Sequence, residues 1–150
     1  MRTRNAKWFE VRVKVAEMQD DGTSKPATKQ YVVDAMSFTE AEANVEEYLK
    51  GFYSEHEVVT EKIARFKEVF LNDDETVVGS YFKVTFELIT LDEKTNKEKR
   101  TRDQILIEAG STAQAESLTH SVVMKDVMVE YRIVDISETK FMDVIEHEKK

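Results

Sequence analysis

The sequence predicts an α+β fold made of two tandem ββαβ repeats. Residues 8–15 return as residues 81–88, and in both copies an aromatic pair opens a run in which apolar and polar residues alternate. A turn signal follows each of these strands, and the second strand is similar in the two copies, at 30–35 and 104–109. A capping-box sequence then opens a helix in each copy. We therefore expect an antiparallel-rich sheet shared by the two repeats, with two helices packed on it. The repeats share a core either by pairing into one six-stranded sheet or by packing face to face.

Residues 1–72 form the first predicted repeat and residues 73–150 the second, so the expected architecture is one compact domain with internal pseudo-twofold symmetry. Runs rich in β-branched and aromatic residues predict three strands in each repeat. These strands are expected at residues 8–18, 29–35, 57–71, 80–90, 103–109 and 128–145. The long third strand is expected to bulge near Ala64-Arg65. A short acidic linker at 72–76 separates the repeats, and the tail at 146–150 is expected to fray.

Each predicted helix begins at a capping box, formed by Ser37 and Glu40 in the first repeat and by Ser111 and Gln114 in the second. In the first box we expect the Ser37 hydroxyl to accept from the N–H of Glu40, and the Glu40 carboxylate to accept from the N–H of Ser37. Gly51 is the predicted end of the first helix. The helix residues expected to pack on the sheet are Ala41, Val45, Tyr48, Leu49 and Phe52, and then Ala115, Leu118, Val122 and Val123.

The composition is typical of a soluble globular protein, with 41% hydrophobic residues, 35% charged residues and a net charge of −8. No apolar run approaches the ~20 residues that a membrane-spanning helix needs. The basic start leads into a strand rather than into an apolar signal segment. We therefore expect a cytoplasmic protein that does not contact membranes. Neither half of the chain is basic, which disfavours non-specific binding to duplex DNA.

The sequence lacks the motifs that mark common enzyme classes. It contains no cysteine, so we expect no disulfide framework, thiolate zinc site or cysteine nucleophile. Its four glycines are separated and form no phosphate-binding loop, and neither a nucleophile elbow nor a zinc-protease motif occurs. The histidines, His56, His120 and His147, lie far apart in the chain. We predict a non-enzymatic protein with no catalytic, cofactor-binding or metal-binding residues and no cofactor.

Basic residues are concentrated in one place, the hairpin of the second repeat at residues 94–102. The cations there are Lys94, Lys97, Lys99, Arg100 and Arg102. Together with exposed aromatic rings for base stacking, they would suit the phosphates of single-stranded nucleic acid. Glu93 and Glu98 lie among them, and a solvated loop without a ligand is the commoner meaning of such a composition.

Trp8 and Tyr81 open the two equivalent strands on the polar side of the alternation. Several roles are open for these rings. They present an exposed aromatic surface to a partner protein, as interface anchors commonly do, or they stack on bases of a nucleic acid. Alternatively, they cap the rim of the core or cover the boundary between the two repeats.

Residues 8–11 and 33–43 resemble a family of domains of unknown function that occurs in Bacteroidetes genomes, mobile elements and phages. Residues 86–94 and 136–144 are similar to the same family, so the resemblance covers most of residues 8–145. The family implies no activity, cofactor or catalytic residue for this chain. The resemblance implies an accessory protein of a phage or a mobile element.

Three functions are compatible with these features. The leading prediction is a protein-interaction or assembly module that binds an unknown partner protein or a second copy of itself, in the latter case through an exposed strand edge. The alternative is an accessory protein that binds single-stranded nucleic acid through the hairpin at 94–102. The third is a small-ligand binder with a pocket between the two repeats.

Overall fold

The computed structural model describes residues 1–4, 7–73 and 79–146 of the chain. Within these ranges it contains nine strands and two α-helices, so the predicted α+β class is confirmed. The elements are β1 (Arg2–Arg4), β2 (Trp8–Met18), β3 (Ser24–Asp34), α1 (Phe38–Leu49), β4 (His56–Ile63), β5 (Glu68–Leu71), β6 (Ser80–Leu91), β7 (Glu98–Ala109), α2 (Thr112–Leu118), a π-helical turn (Thr119–Val123), β8 (Glu130–Glu138) and β9 (Phe141–Ile145). None of the described helices is both long and apolar enough to span a bilayer. Most of the predicted linker and tail lies outside the described residues.

Two compact units divide the chain. Unit 1 contains Met1–Asn5 and Phe66–Thr139, and unit 2 contains Ala6–Arg65 and Lys140–Lys150. This division differs from the predicted repeat boundary at residue 72. The chain passes from unit 2 into unit 1 before β5, and it returns to unit 2 before β9. Each repeat therefore ends with a strand that belongs to the other unit. The predicted pseudo-twofold relation between the repeats stays a prediction.

The described strands form two sheets rather than the single six-stranded sheet that was one of the two predicted assemblies. The unit 2 sheet has the order β4-β2-β3-β9, and the unit 1 sheet has the order β1-β5-β7-β6-β8. A hairpin lies at the centre of each sheet, and the last strand of the other repeat runs parallel to the second strand of that hairpin. The predicted long strands at 57–71 and 128–145 are each broken in two, because the end of each run pairs with a different sheet from its beginning.

Helix α1 covers one face of the unit 2 sheet. Since strand side chains alternate between faces, every second residue of β2 is directed toward this helix. The core consists of Phe9, Val11, Val13, Val15, Tyr31, Val33, Ala35, Ala41, Val45, Leu49 and Ile145. Ala41, Val45 and Leu49 are the buried residues of α1, as the helical stripe predicts. Phe52, which was expected to join them, is 65% exposed because it lies beyond the end of the helix at Leu49.

Helix α2 covers one face of the unit 1 sheet, where Ala115 is buried as predicted. The core consists of Phe70, Phe82, Val84, Phe86, Ile105, Ile107, Ala109, Ala115 and Met124. Val122 was expected to face this core and is instead 36% exposed. The π-helical turn changes the helical repeat after Thr119, so Val122 leaves the predicted stripe. Thr119 lies one helical turn after Ala115 and is buried, and its hydroxyl donates to the carbonyl of Ala115 at 2.7 Å.

Both predicted caps are present. The Ser37 hydroxyl accepts from the N–H of Glu40 at 3.2 Å, and the Ser111 hydroxyl accepts from the N–H of Gln114 at 3.1 Å. The return contact is one residue away from the predicted position, because the Glu40 carboxylate accepts from the N–H of Met36 rather than from that of Ser37. The equivalent return contact forms in the second repeat. The two helices therefore start from the same local geometry.

Candidate functional site

The basic hairpin joins β6 to β7 in unit 1, and the structure divides its cations among three places. Lys94 and Lys97 lie in the exposed turn between the strands. Lys99 is paired with Thr90 and lies on the helix-covered face of the sheet. Arg100 and Arg102, the next alternate residues, lie on the opposite face. The five predicted contacts therefore do not form one continuous track for a nucleic-acid backbone.

Arg100 and Arg102 converge on the carboxylate of Glu87, together with Arg132 from β8. The Nε atom of Arg102 donates to Oε1 of Glu87 at 3.4 Å, and Nη2 of Arg132 donates to Oε2 at 2.8 Å. The Nη1 atom of Arg100 lies 3.8 Å from the same Oε2. The register places these groups together, since Glu87 is paired with Arg102 on one side and with Arg132 on the other.

The Glu87 carboxylate is nearly buried, whereas the three guanidinium groups around it are about half exposed. The hydrogen bond from Arg132, and then the one from Arg102, hold the pKa of Glu87 below its ordinary value and outweigh the opposite effect of burial. Arg100 is also paired with Glu98, at 3.4 Å. Two of the predicted nucleic-acid contacts therefore have carboxylate partners within unit 1.

Trp8 and Tyr81 are buried, with only 2% and 7% of their surfaces exposed. Each residue lies on an interior strand of its sheet, so that a neighbouring strand flanks it on both sides. This burial corrects the interpretation of the two rings as exposed aromatics, for base stacking and for an interface alike. Polar residues follow each ring on the same strand face and therefore predicted an exposed ring, but both rings are buried. Their other suggested roles, at the rim of the core and at the boundary between the repeats, stay predictions.

An exposed apolar surface that the sequence analysis missed lies at the start of α1 in unit 2. The ring of Phe38 packs edge-on against the buried ring of Phe9 and remains 44% exposed. Ile63, at the end of β4, is paired with Phe9 and is 49% exposed. Met36, just before the helix cap, is 81% exposed. The ammonium group of Lys7 lies 5.5 Å from the centre of the Phe9 ring. We call these five residues the Phe9 patch.

The second repeat shows that the helix start does not need these apolar side chains. The two helix caps align Ser37 with Ser111. Met36 and Phe38 therefore correspond to Gly110 and Thr112. Helix α2 begins from the same cap geometry as α1 with these small residues on either side. This difference is visible in the sequence, because both capping boxes can be aligned without a structure.

The same difference appears on the neighbouring edge strand. Phe9 of β2 corresponds to Phe82 of β6. The residue beside Phe9 on the edge strand is Ile63, whereas the residue beside Phe82 is Glu138. The first repeat therefore exposes apolar groups at three positions where the second repeat has glycine, threonine and glutamate. This position on the edge strand could not be found from sequence, since it depends on the strand register.

Strand β4 forms one edge of the unit 2 sheet, and β8 forms one edge of the unit 1 sheet. Each of these two strands carries a β-bulge. Val59 is skipped in the pairing of β4 with β2, and Val134 is skipped in the pairing of β8 with β6. These two valines are 53% and 37% exposed. Because a bulge bends a strand and interrupts its pairing, both edges are poorly suited to pairing with another strand. A homodimer through these edges is therefore disfavoured.

Unit 2 also contains an open cavity of about 400 Å³ at one end of its sheet. Its lining residues are Lys14, Val15, Ala16, Ser24, Pro26, Glu55, His56 and Glu57. The Nδ1 atom of His56 is buried and has no hydrogen-bond partner in the described part of the chain. The lining mixes acidic and basic groups, so it favours no single class of charged ligand. Among the described residues, no three acidic, histidine or cysteine side chains are grouped as they are in a metal site.

Comparison with known proteins identifies a family for the chain. Neither the search of curated proteins nor the search of solved structures gives a match. One family model matches residues 7–147, and its description is a domain of unknown function, DUF4494. This match covers both repeats and agrees with the resemblance seen in the sequence. The chain therefore belongs to the DUF4494 family of domains of unknown function.

Proposed function

We propose that this protein is a non-enzymatic binding module that contacts a partner protein through the Phe9 patch. The observation that carries the proposal is the difference between two copies of one fold. The second repeat forms the same elements with polar or small residues where the first repeat exposes Met36, Phe38 and Ile63. Exposed apolar groups that packing does not require are typical of surfaces that bind another protein.

The chemistry of the patch defines the kind of partner segment that fits it. Phe38 offers a flat aromatic surface that packs against the fully buried ring of Phe9. Met36 adds a flexible side chain that adapts to different shapes. Lys7 places a positive charge at the rim. The expected partner presents a large apolar side chain with a carboxylate close to it.

The setting that we propose is the cytoplasm, in an accessory protein of a phage or a mobile element. The family resemblance in residues 8–11 and 33–43 supports the phage or mobile-element role. The absence of cysteine supports a reducing compartment. A partner encountered there would be an intracellular protein of the same genetic system.

Binding of single-stranded nucleic acid through residues 94–102 is the rival function. The exposure of all five hairpin cations supports it. The ion pairs of Arg100 and Arg102 with Glu87 weaken it, as does the burial of Trp8 and Tyr81. The Phe9 patch is independent of this hairpin, so one experiment can compare the two functions.

Selection from a displayed library of random peptides tests the proposal. The selected peptides are then titrated against the wild-type chain and against a chain with Phe38→Thr and Ile63→Glu. A matched control is Leu91→Thr, which removes an aliphatic side chain that is 61% exposed elsewhere. We expect peptides with an apolar anchor next to a carboxylate, bound about tenfold more weakly by the double variant and unchanged by the control. Failure to enrich any peptide, or equal affinity for the double variant, would overturn the proposal.

A labelled single-stranded oligonucleotide serves as the second probe in the same assay, at low salt. The proposal predicts no binding that depends on the hairpin. Binding that is lost when Lys97, Lys99 and Arg100 are changed to alanine would favour the rival function.

A further inference from the structure

Strand β9 belongs to unit 2, although β8, the strand before it, belongs to unit 1. Only Thr139 and Lys140 lie between the two strands. Thr139 is attached to unit 1, because its N–H and its hydroxyl both donate to the carbonyl of Tyr81, at 2.9 and 2.7 Å. Lys140 is exposed. One exposed residue therefore separates the end of unit 1 from the start of β9.

Strand β9 completes unit 2. It runs parallel to β3, whose other side is paired with β2. Ile145 joins the core under α1. The hydroxyl of Tyr48 on α1 donates to the carboxylate of Asp143 at 2.6 Å. Without β9, β3 would have an open edge beside an incomplete core. Unit 2 therefore contains a docking groove whose shape and polar contact suit residues 141–145.

We infer that a second copy of this chain occupies this groove by exchanging β9, which produces a closed dimer. The contacts of β9 with β3 and α1 are the same whether the strand comes from its own chain or from another copy, so exchange has a low energetic cost. A very short connection favours exchange, because it restricts how the strand folds back within one chain.

The groove selects this sequence rather than an arbitrary strand. Asp143 meets the Tyr48 hydroxyl, and the nearly buried Val144 and Ile145 occupy alternate faces of the strand. The bulges in β4 and β8 make these two edges poorly suited to self-association. No residue of the Phe9 patch takes part in the exchange, so the exchange is independent of partner binding.

The absence of cysteine from the chain makes the exchange directly testable. Val32 and Val144 are register partners in β3 and β9, so Val32→Cys and Val144→Cys place two thiols on neighbouring strands. Equal amounts of the two single variants are unfolded together, refolded at high concentration and oxidised. We expect a disulfide-linked dimer that contains one chain of each variant. The control uses Val15→Cys and Ala27→Cys, which are register partners inside the β2–β3 hairpin and are expected to give monomers.

A chain that carries both Val32→Cys and Val144→Cys shows whether the pair can bond at all. If this chain forms an internal disulfide while the mixed single variants give no linked dimer, the inference is overturned. Light scattering supplies a measurement that needs no cysteine. The wild-type chain refolded at high concentration is expected to contain a dimer, and a flexible glycine-serine insert between Thr139 and Lys140 is expected to abolish it. An entirely monomeric wild-type chain, or a dimer that the insert leaves unchanged, also overturns it. Phe38→Thr is expected to leave the dimer intact, so the two proposals fail separately.

Discussion

The ring of Phe38 packs edge-on against the ring of Phe9 with their centroids 5.1 Å apart, while 44% of Phe38 remains open to solvent. Thr112 occupies the equivalent position in the second repeat, and the helix there starts from the same cap. A threonine is therefore sufficient for the local fold. The local packing does not require a side chain as large as that of Phe38. A large exposed aromatic ring without a structural need is expected of an interface anchor.

Replacing the patch with the residues of the second repeat is expected to leave the fold stable. We predict that Phe38→Thr with Ile63→Glu lowers the free energy of unfolding by only about 1–2 kcal/mol, because about half of each side chain is already exposed. Leu49→Ala, in the fully buried core of the same unit, is expected to cost about 2–5 kcal/mol. Urea unfolding measures both. If the patch variant lost as much free energy of unfolding as Leu49→Ala, the patch would be required for the stability of the fold.

Replacing Glu87 with glutamine is expected to destabilise unit 1 at neutral pH. The change removes the negative charge that holds Arg102 and Arg132 together and leaves three guanidinium groups in mutual repulsion. We expect a lower urea midpoint for Glu87→Gln. Glu93→Gln, in the exposed turn of the hairpin, is the matched control and is expected to have no effect.

The stability that Glu87 contributes is expected to depend on pH in a defined direction. Its pKa in the folded protein lies below its ordinary value of 4.5. The contribution is therefore fully present above that ordinary value and is lost as the pH falls through the lower, folded value. Urea midpoints of the wild type and of Glu87→Gln should converge in acid. A difference that stays constant from neutral to acidic pH would contradict this account of the cluster.

Glu61 is expected to show the opposite pH dependence. Its Oε2 atom is buried without a hydrogen-bond partner among the described residues, and burial, followed by the nearby charge of Glu42, raises its pKa. The charged form therefore costs stability above the ordinary pKa of a glutamate. We predict that Glu61→Gln raises the urea midpoint at neutral pH and that the gain shrinks in acid, as the wild-type carboxylate is protonated. A lower midpoint at neutral pH would show that the Glu61 carboxylate is stabilising.

The hydrogen bond between Tyr48 and Asp143 is expected to hold β9 in place. Burial and the Asp143 carboxylate raise the pKa of Tyr48, so its hydroxyl remains protonated and donates at neutral pH. We predict that Tyr48→Phe weakens the docking of β9 by about 1.5–3 kcal/mol, as for other hydrogen bonds to charged groups. Amide hydrogen exchange in residues 141–145 should become faster, whereas Tyr53→Phe in the same unit should not change it. Equal rates of amide hydrogen exchange in the wild type and in Tyr48→Phe would show that the Tyr48–Asp143 hydrogen bond does not hold β9 in place.

The local features of the fold were predictable from sequence. The alternation in residues 8–15 and 81–88 identified the two central strands, because side chains on a strand point to opposite faces in turn. Ser37 and Ser111 identified the helix starts, because the caps use only neighbouring backbone groups. The π-helical turn after α2 was not predictable, since Val122 fits an ordinary helical stripe and only the packed structure shows its exposure.

The non-local features required the structure. Residues 57–71 and 128–145 have continuous β-forming composition, and composition does not say which sheet a strand joins. The sequence therefore did not predict that β5 joins the unit 1 sheet or that β9 joins the unit 2 sheet. Arg132 lies 45 residues from Glu87 in the chain, so its contact with the carboxylate had no local signal. The burial of Trp8 likewise depends on tertiary packing that overrides the polarity of its strand neighbours.

The most direct test of the Phe9 patch is to map a bound peptide by NMR. A selected peptide is added to isotopically labelled protein, and the backbone amide shifts are followed through the titration. We expect the largest changes at residues 7–9, 35–38 and 62–64, and we expect Phe38→Thr with Ile63→Glu to abolish them. Changes concentrated at residues 92–102, or changes at the patch that persist in the double variant, would contradict the assignment of this surface as the binding site.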